Sequence, residues 1–90
     1  NCGSCTGWTI RDSLTAAATG IPTMAVATRN FEAFAHEIAA RGGRSGLRVH
    51  VLPYPLNERE RSEVDAVADA HFGPMLATLG AQLEVKQDAA

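Results

Sequence analysis

Two cysteines, Cys2 and Cys5, form a C-x-x-C motif near the start of this 90-residue sequence. The residues that follow have a near-helical spacing of apolar side chains, so we expect the motif to stand immediately before a helix. Free backbone N–H groups at a helix start, together with the helix dipole, stabilise a thiolate and lower the pKa of a cysteine from about 8.5. Gly3 lets the backbone turn tightly, and Ser4 or Thr6 can cap the helix. The motif is typical of a redox pair or a nucleophilic thiol.

Two other interpretations of the cysteine pair stay open. A stabilising disulfide across so small a ring gains only about 2 kcal/mol from loop closure, and a cytoplasmic setting would keep it reduced. A transition-metal site at Cys2 and Cys5 needs two further ligands, and the histidines (His36, His50 and His71) lack zinc-ligand spacing. We therefore predict no cofactor. The alternative is a metal held by both thiolates, with the remaining ligands supplied by a partner.

Three further side chains are candidates for substrate binding near the thiols. Trp8, three residues after Cys5, can cover the thiol or pack against a partner. Asp12 follows Cys5 by about two helical turns and can share its helix face, although a plain surface carboxylate is the simpler alternative. Arg29 directly follows the first predicted strand, where it can bind a substrate carboxylate or remain solvated.

Glycines and prolines divide the chain into three predicted helices and two predicted strands. In order, these are a helix over 5–19 that ends at Gly20, a strand over 23–28, a helix that Asn30 caps and Gly42-Gly43 ends, a strand over 47–52, and a helix that Asn57 or Ser62 caps. We expect Gly73-Pro74 to kink or split the last helix, because proline removes a hydrogen bond and clashes with the preceding turn.

Burial expectations follow from the apolar pattern of each element. The strand over 23–28 is uncharged, which suits burial on both faces of a parallel sheet. The strand over 47–52 alternates apolar with polar residues, so one of its faces should be less covered. We expect His36 at the surface or boundary, His50 facing solvent, and His71 in the core with its polar atoms satisfied.

The element order (helix-strand-helix-strand-helix) predicts an α/β fold with a partial, Rossmann-like parallel sheet. Two parallel strands make a poor sheet, and parallel sheets need cover on both faces. We therefore expect a companion polypeptide, or a missing N-terminal segment, to supply the preceding strands; the alternative is a fragment. Residues 1–80 are predicted to form this single half-domain, and the polar tail over 81–90 is predicted to fray.

Ligands bind at the carboxyl ends of the strands in open parallel sheets. Thr28 and Arg29 lie at the end of the first strand, and Tyr54 lies just beyond the second. A strand before residue 1 would deliver the two cysteines to the same edge. The three segments would then converge on one cleft for a small-molecule substrate.

Composition excludes several classes of protein. Eight Lys and Arg residues against ten Asp and Glu give a net charge of −2, so no basic surface indicates a nucleic-acid or anionic membrane partner. No run approaches the ~18–20 apolar residues of a membrane span, and the polar start does not resemble a signal peptide. Two cysteines do not make a disulfide-stapled secreted scaffold, so we expect a cytoplasmic protein.

Several short stretches share their residues and spacing with a known family. They are Cys2 to Thr6 with Trp8 and Asp12, Gly20 to Pro22, Thr28, and Pro53 to Leu56. Over roughly residues 2–79 this pattern resembles the UGSC-motif (seleno)protein family, in which selenocysteine or cysteine occupies the position of Cys2. A similar layout occurs in the C-terminal part of the selenoprotein B component of glycine, sarcosine and betaine reductases.

The resemblance implies that Cys2 is the nucleophilic or redox-active position and Cys5 its resolving partner. In the reductases, selenium attacks an activated amino-acid derivative held by a partner subunit, in a reductive cleavage. The resemblance thus implies a subunit of a heteromeric, thiol-dependent enzyme that acts on a small electrophilic substrate. Here Cys2 carries sulfur, a weaker nucleophile than selenium, and Tyr54 replaces the usual His, leaving only a hydroxyl.

The predicted site therefore has two catalytic thiols, Cys2 and Cys5, and a set of substrate-binding candidates around them. The candidates are Ser4, Thr6, Trp8, Asp12, Thr28, Arg29 and Tyr54. Two functions of other classes stay open beside the enzyme: a metal-binding module built on the two thiolates, and a structural subunit that completes a partner's sheet.

Overall fold

A computed structural model describes residues 2–80 of the chain. Within them the chain forms three α-helices and two strands, with a short 3₁₀ turn after the first strand. In order, these are α1 (Gly3–Ala18), β1 (Met24–Thr28), the 3₁₀ turn (Arg29–Phe31), α2 (Glu32–Arg41), β2 (Arg48–Leu52) and α3 (Arg61–Leu79). The predicted frayed tail over 81–90 lies outside the described residues. None of the helices between residues 2 and 80 is long and apolar enough to cross a membrane.

The two strands pair in parallel, and α2 forms the crossover between them. The register places Ala25 opposite Val49 on one face and Val26 opposite His50 on the other, with Thr28 opposite Leu52 at the carboxyl ends. The prediction of a mixed α/β fold with a partial parallel sheet is confirmed. In the described part of the chain, each strand has one edge without a neighbouring strand.

The core lies on the face of the sheet that α1 and α2 cover. It consists of four alanines and two larger side chains: Ile10, Ala25, Ala27, Ala35, Ala39 and Leu47. Ile10 is the largest fully buried side chain, with 0% of its surface exposed. Since alanines extend only a methyl group from the backbone, α1 and α2 pack close to β1.

The opposite face of the sheet carries α3, which contributes no buried residue. Neighbouring residues of a strand point to opposite faces, so His50 points away from the alanine core. Its Nε2 lies 2.8 Å from Nδ1 of His71 in α3, and the two rings meet edge to face. Arg48 donates from Nη1 to the carbonyl of Leu79 at 3.0 Å. These polar contacts from β2 help to hold α3.

Several burial predictions need correction. His50 was predicted to face solvent and His71 to lie in the core, but both side chains are half-buried. The reason is that α3 packs on β2, so the two rings contact each other. The prediction that β1 is buried on both faces holds for one face only, since Met24 and Val26 are half-buried. His36 is exposed, as predicted.

The starts of α2 and α3 also differ from the predictions. Asn30 does not cap α2, because it lies inside the 3₁₀ turn that continues directly from β1. Neither Asn57 nor Ser62 caps α3, whose N-cap is Glu60. The Glu63 carboxylate accepts a hydrogen bond from the Glu60 N–H at 3.2 Å, which satisfies a donor at the helix start.

The predicted end of α1 at Gly20 is confirmed, whereas the predicted split of the last helix at Pro74 is wrong. Gly20 has a φ of 87° just after α1, the left-handed conformation that ends helices. Pro74 does not split α3, which runs unbroken through it. Pro74 has no N–H to donate to the Ala70 carbonyl. Both residues are exposed, so water can donate to that carbonyl instead.

We predict that Ile10→Ala lowers the free energy of unfolding by about 2–4 kcal/mol, because it leaves a cavity that the surrounding alanines cannot fill. Urea unfolding followed by circular dichroism measures the loss. The matched control is Ile21→Ala, since Ile21 is 60% exposed and should cost less than about 0.5 kcal/mol. Equal losses in the two variants would contradict this account of the core.

We also predict that the fold loses stability as the pH falls below about 6.5. Burial, and then the neighbouring His71, lower the pKa of His50 below its ordinary value of 6.5. The unfolded chain therefore binds a proton at His50 more readily than the folded chain does. The contribution of neutral His50 to the free energy of unfolding is fully present above pH 6.5 and is lost as the pH falls below it. Urea midpoints measured from pH 7.5 to pH 5 should fall, less steeply in His50→Gln than in the control His36→Gln. Identical slopes in the two variants would argue against it.

Candidate active site

The C-x-x-C motif forms the first turn of α1 rather than standing before it. Cys2 is the N-cap, and its Sγ accepts a hydrogen bond from the Cys5 N–H at 3.2 Å. The prediction that Ser4 or Thr6 caps the helix is therefore wrong, because the cysteine sulfur already occupies that position. The Ser4 hydroxyl lies 3.5 Å from the same Sγ. A disulfide joins Cys2 to Cys5.

Thr6 fixes the backbone of the motif. Its hydroxyl donates to the Cys2 carbonyl at 2.7 Å, and its backbone N–H donates to the same oxygen at 3.0 Å. Thr6 is buried and Cys2 is half-buried, so this double contact is partly shielded from water. The role that the structure gives Thr6 is to hold Cys2 at the helix start.

The electrostatic surroundings of the motif favour negative charge on Cys2. The first turn of α1 holds no acidic residue that would oppose a thiolate. The partial positive charge of the helix start acts where the Cys2 sulfur lies, and the Cys5 N–H points at that sulfur. In the dithiol state, this arrangement stabilises the thiolate of Cys2.

A small cavity of about 120 Å³ adjoins the motif at the carboxyl ends of the strands. Its lining combines the first turns of α1 with the ends of both strands: Cys5, Thr6, Thr9, Val26, Ala27, Thr28, Leu52 and Leu56. The three segments thus meet at one edge, although α1 itself brings Cys5 there and the sequence predicted a preceding strand in that role. Drug-sized ligands occupy roughly 300–1,000 Å³, so this cavity has room only for a small molecule or for the end of a larger one.

Thr28, like Thr6, is a predicted candidate that lies buried in this cavity wall. It is only 5% exposed, and its hydroxyl is buried without a hydrogen-bond partner among the described residues. The sequence indicated Thr28 from its place at the end of a strand. Its missing partner could be found only in the structure.

The cavity lining does not include six of the predicted site residues: Cys2, Ser4, Trp8, Asp12, Arg29 and Tyr54. Trp8 is 63% exposed and lies beneath the Arg11 guanidinium, whose carbon is 5.5 Å from the ring centroid. Asp12 and Arg29 are exposed. Tyr54, also exposed, packs edge to face on Phe31 with ring centroids 6.0 Å apart.

Phe31 is a neighbour of the motif that sequence analysis did not single out. A Cβ built on Gly3 would lie 3.9 Å from Cε1 of this ring, so Phe31 borders the turn between the cysteines. The Tyr54 ring reaches the site through this contact. The only available signal was that Phe31 comes shortly after the strand end at Thr28.

Sequence analysis also missed several lining residues: Thr9, Val26, Ala27, Leu52 and Leu56. Thr9 was identifiable, because it follows Cys5 by four residues and so shares its helix face. Leu52 ends β2, and the rule for strand ends could have included it. Leu56 had no such signal, since the path of the loop after β2 decides where it lies.

A larger cavity of about 590 Å³ opens at the other end of the sheet, where Thr23 and Leu47 precede the strands. Its charged lining comes from Arg44 and Arg48, and Arg48 already donates to the Leu79 carbonyl. It contains no cysteine. We take the smaller cavity as the candidate active site because Cys5, which the disulfide joins to Cys2, lines it.

No group of three or more His, Cys, Asp or Glu side chains between residues 2 and 80 is placed to hold a metal ion. A metal at Cys2 and Cys5 would thus need ligands from elsewhere than these residues.

Comparison with known proteins identifies the family. The UGSC family matches residues 1–81, nearly the whole chain. The chain therefore belongs to the UGSC family, as its motif indicated. No curated protein and no solved structure matches it.

We predict that, in the dithiol state, the pKa of Cys2 lies below the usual 8.5 and below that of Cys5, because the Cys2 sulfur receives the N–H at the helix start. Thiolate absorbance in the ultraviolet, followed against pH, measures Cys2 in Cys5→Ser and Cys5 in Cys2→Ser. The serine variants keep the backbone N–H groups in place. A higher pKa for Cys2 than for Cys5 would refute this view of the motif.

Proposed function

From membership of the UGSC family and the geometry of the motif, we propose that this chain is a subunit of a thiol-dependent, oxidoreductase-type enzyme. Cys2 attacks a small electrophilic substrate, and Cys5 resolves the adduct. One observation carries the proposal: the Cys2 sulfur caps α1, receives the Cys5 N–H, and lies within bonding reach of the Cys5 sulfur. The resemblance of the motif and its spacing to selenoprotein B of the amino-acid reductases supports the same chemistry.

The reaction proceeds in two displacements. The Cys2 thiolate forms a bond to an electrophilic carbon or sulfur of the substrate, and the leaving group departs with its electron pair. The Cys5 thiolate then attacks the Cys2 sulfur, which forms the disulfide and returns the electron pair of the broken bond to the substrate, where a proton joins it. The substrate gains two electrons and the dithiol loses them.

An external thiol reductant must then return the disulfide to the dithiol. Such reductants keep thiols reduced in the cytoplasm, and we accordingly propose a cytoplasmic location. The attacking thiol is most effective when its pKa is near ambient pH, and a helix start can lower a cysteine pKa toward that range.

We also propose that the active unit is a heteromer. A sheet of two parallel strands is marginal by itself, and each strand here has an edge without a neighbour in the described residues. The alanine core buries little apolar area, while Trp8 and Phe72 are each 63% exposed. A companion polypeptide that adds a strand and covers these rings would complete the layer.

The uncharged aromatic disulfide dithiodipyridine tests the roles of the two cysteines. In the reduced protein, attack by Cys2 should release one thiopyridone and resolution by Cys5 a second, leaving the intramolecular disulfide. Cys5→Ser should release one and keep the other as a stable mixed disulfide, because the resolving thiol is gone. Cys2→Ser should react no faster than a free thiol. Released thiopyridone absorbance and intact mass measure these outcomes.

Three results would decide against the enzyme. Equal, slow reaction of both cysteine variants would fit the structural subunit. Stoichiometric metal in the native protein that is lost on replacement of both cysteines would fit the metal-binding module. A stable adduct on Cys5 in Cys2→Ser, formed as fast as the Cys2 adduct in Cys5→Ser, would remove the assigned division of roles.

A further inference from the structure

The Thr28 hydroxyl is an unsatisfied group at the reactive end of the molecule. Thr28 lines the same cavity as Cys5, and its Oγ1 is buried without a hydrogen-bond partner among residues 2–80. A buried hydroxyl left unpaired costs roughly 1–3 kcal/mol. The neighbouring Thr6 hydroxyl, in contrast, is already committed to the Cys2 carbonyl. Thr28 therefore has hydrogen-bonding capacity to offer a ligand.

The cavity wall is otherwise apolar or uncharged. Its aliphatic side chains come from β1 and from the end of β2 with the loop beyond it: Val26, Ala27, Leu52 and Leu56. None of the described residues that line it carries a charge, and the exposed Arg29, next to Thr28, is not among them. A carboxylate or ammonium group would lose water here without gaining an oppositely charged side chain, since the partial positive charge of the helix start is directed at the Cys2 sulfur. The wall thus favours an uncharged ligand.

We infer that Thr28 determines the substrate class of this site: small, uncharged carbonyl compounds whose electrophilic carbon lies next to the carbonyl group. The Thr28 hydroxyl donates its hydrogen bond to the carbonyl oxygen, while the aliphatic wall holds the rest of the molecule. The inference rests on the proposed function, since it assumes that Cys2 attacks the adjacent carbon.

The same hydrogen bond assists the chemistry. Cys2 displaces the leaving group from the carbon beside the carbonyl, forming a carbon–sulfur bond. When Cys5 then attacks the Cys2 sulfur, the electron pair of that bond moves to the carbon and spreads onto the carbonyl oxygen as an enolate. A donor placed at that oxygen stabilises the developing charge, and a solvent proton completes the reduced product.

Two alkylating reagents of equal size, iodoacetamide and iodoacetate, test the inference. Both carry iodide as leaving group beside a carbonyl, but only iodoacetamide is uncharged. In reduced Cys5→Ser protein, the rate of Cys2 alkylation by iodoacetamide relative to iodoacetate should exceed the same ratio for a free thiol such as N-acetylcysteine. Adding Thr28→Val should lower the ratio about two- to tenfold, the effect of one neutral hydrogen bond.

Matched variants separate the hydroxyl from other effects. Thr28→Ser keeps the hydroxyl and should keep the ratio. Thr15→Val removes an exposed hydroxyl elsewhere on α1, one that bonds only the Arg11 carbonyl, and should leave the ratio unchanged. Thr28→Val should unfold at the same urea concentration as the parent or a higher one, because it removes a buried hydroxyl without a partner.

The failures of the two proposals are distinguishable. If Cys2 reacts with dithiodipyridine as proposed but the iodoacetamide ratio does not fall in Thr28→Val, the substrate class is wrong and the thiol chemistry stands. If Cys2 reacts no faster than a free thiol with any of the three reagents, the proposed function itself is wrong. A marked loss of stability in Thr28→Val would show a structural hydrogen bond and overturn the assignment of Thr28.

Discussion

The hydrogen bond from the Cys5 N–H to the Cys2 sulfur decides where α1 begins, and the site depends on that start. It makes Cys2 the cap and places Cys5 inside the first turn. Thr6 then ties its hydroxyl and its N–H to the Cys2 carbonyl, which holds the cap in place. Since an N-cap sulfur lies at the positive end of the helix, the interaction that shapes the turn is also the one that favours a thiolate.

The alanine core allows the start of α1 to lie close to the sheet. Among residues 2–80, Ile10 is the largest side chain that is fully buried, and its core neighbours in β1 and α2 are alanines, so α1 lies close to β1. This close packing brings Cys5 to the end of β1, where Thr28 lies. A core of larger side chains would move the helix outward and separate the thiols from the strand ends.

On the opposite face of the sheet, polar contacts rather than a packed core hold the helix. There α3 contributes no buried residue, and its contacts with β2 include the His50–His71 pair and the bond from Arg48 to Leu79. Such contacts depend on pH and salt more than a packed core does. The cavity at the motif draws its lining from α1, the strands and the loop after β2, so α3 contributes no residue to it.

The sequence by itself determined the element order, the parallel crossover, the left-handed end of α1 at Gly20, the C-x-x-C motif and the family, because each depends on local residue type and spacing. Only the tertiary structure decided the rest. The cap by Cys2, the pairing of His50 with His71, and the unpaired hydroxyl of Thr28 depend on which groups meet in space. The last is the absence of a hydrogen-bond partner among the residues that the structure describes, which spacing along the chain cannot reveal.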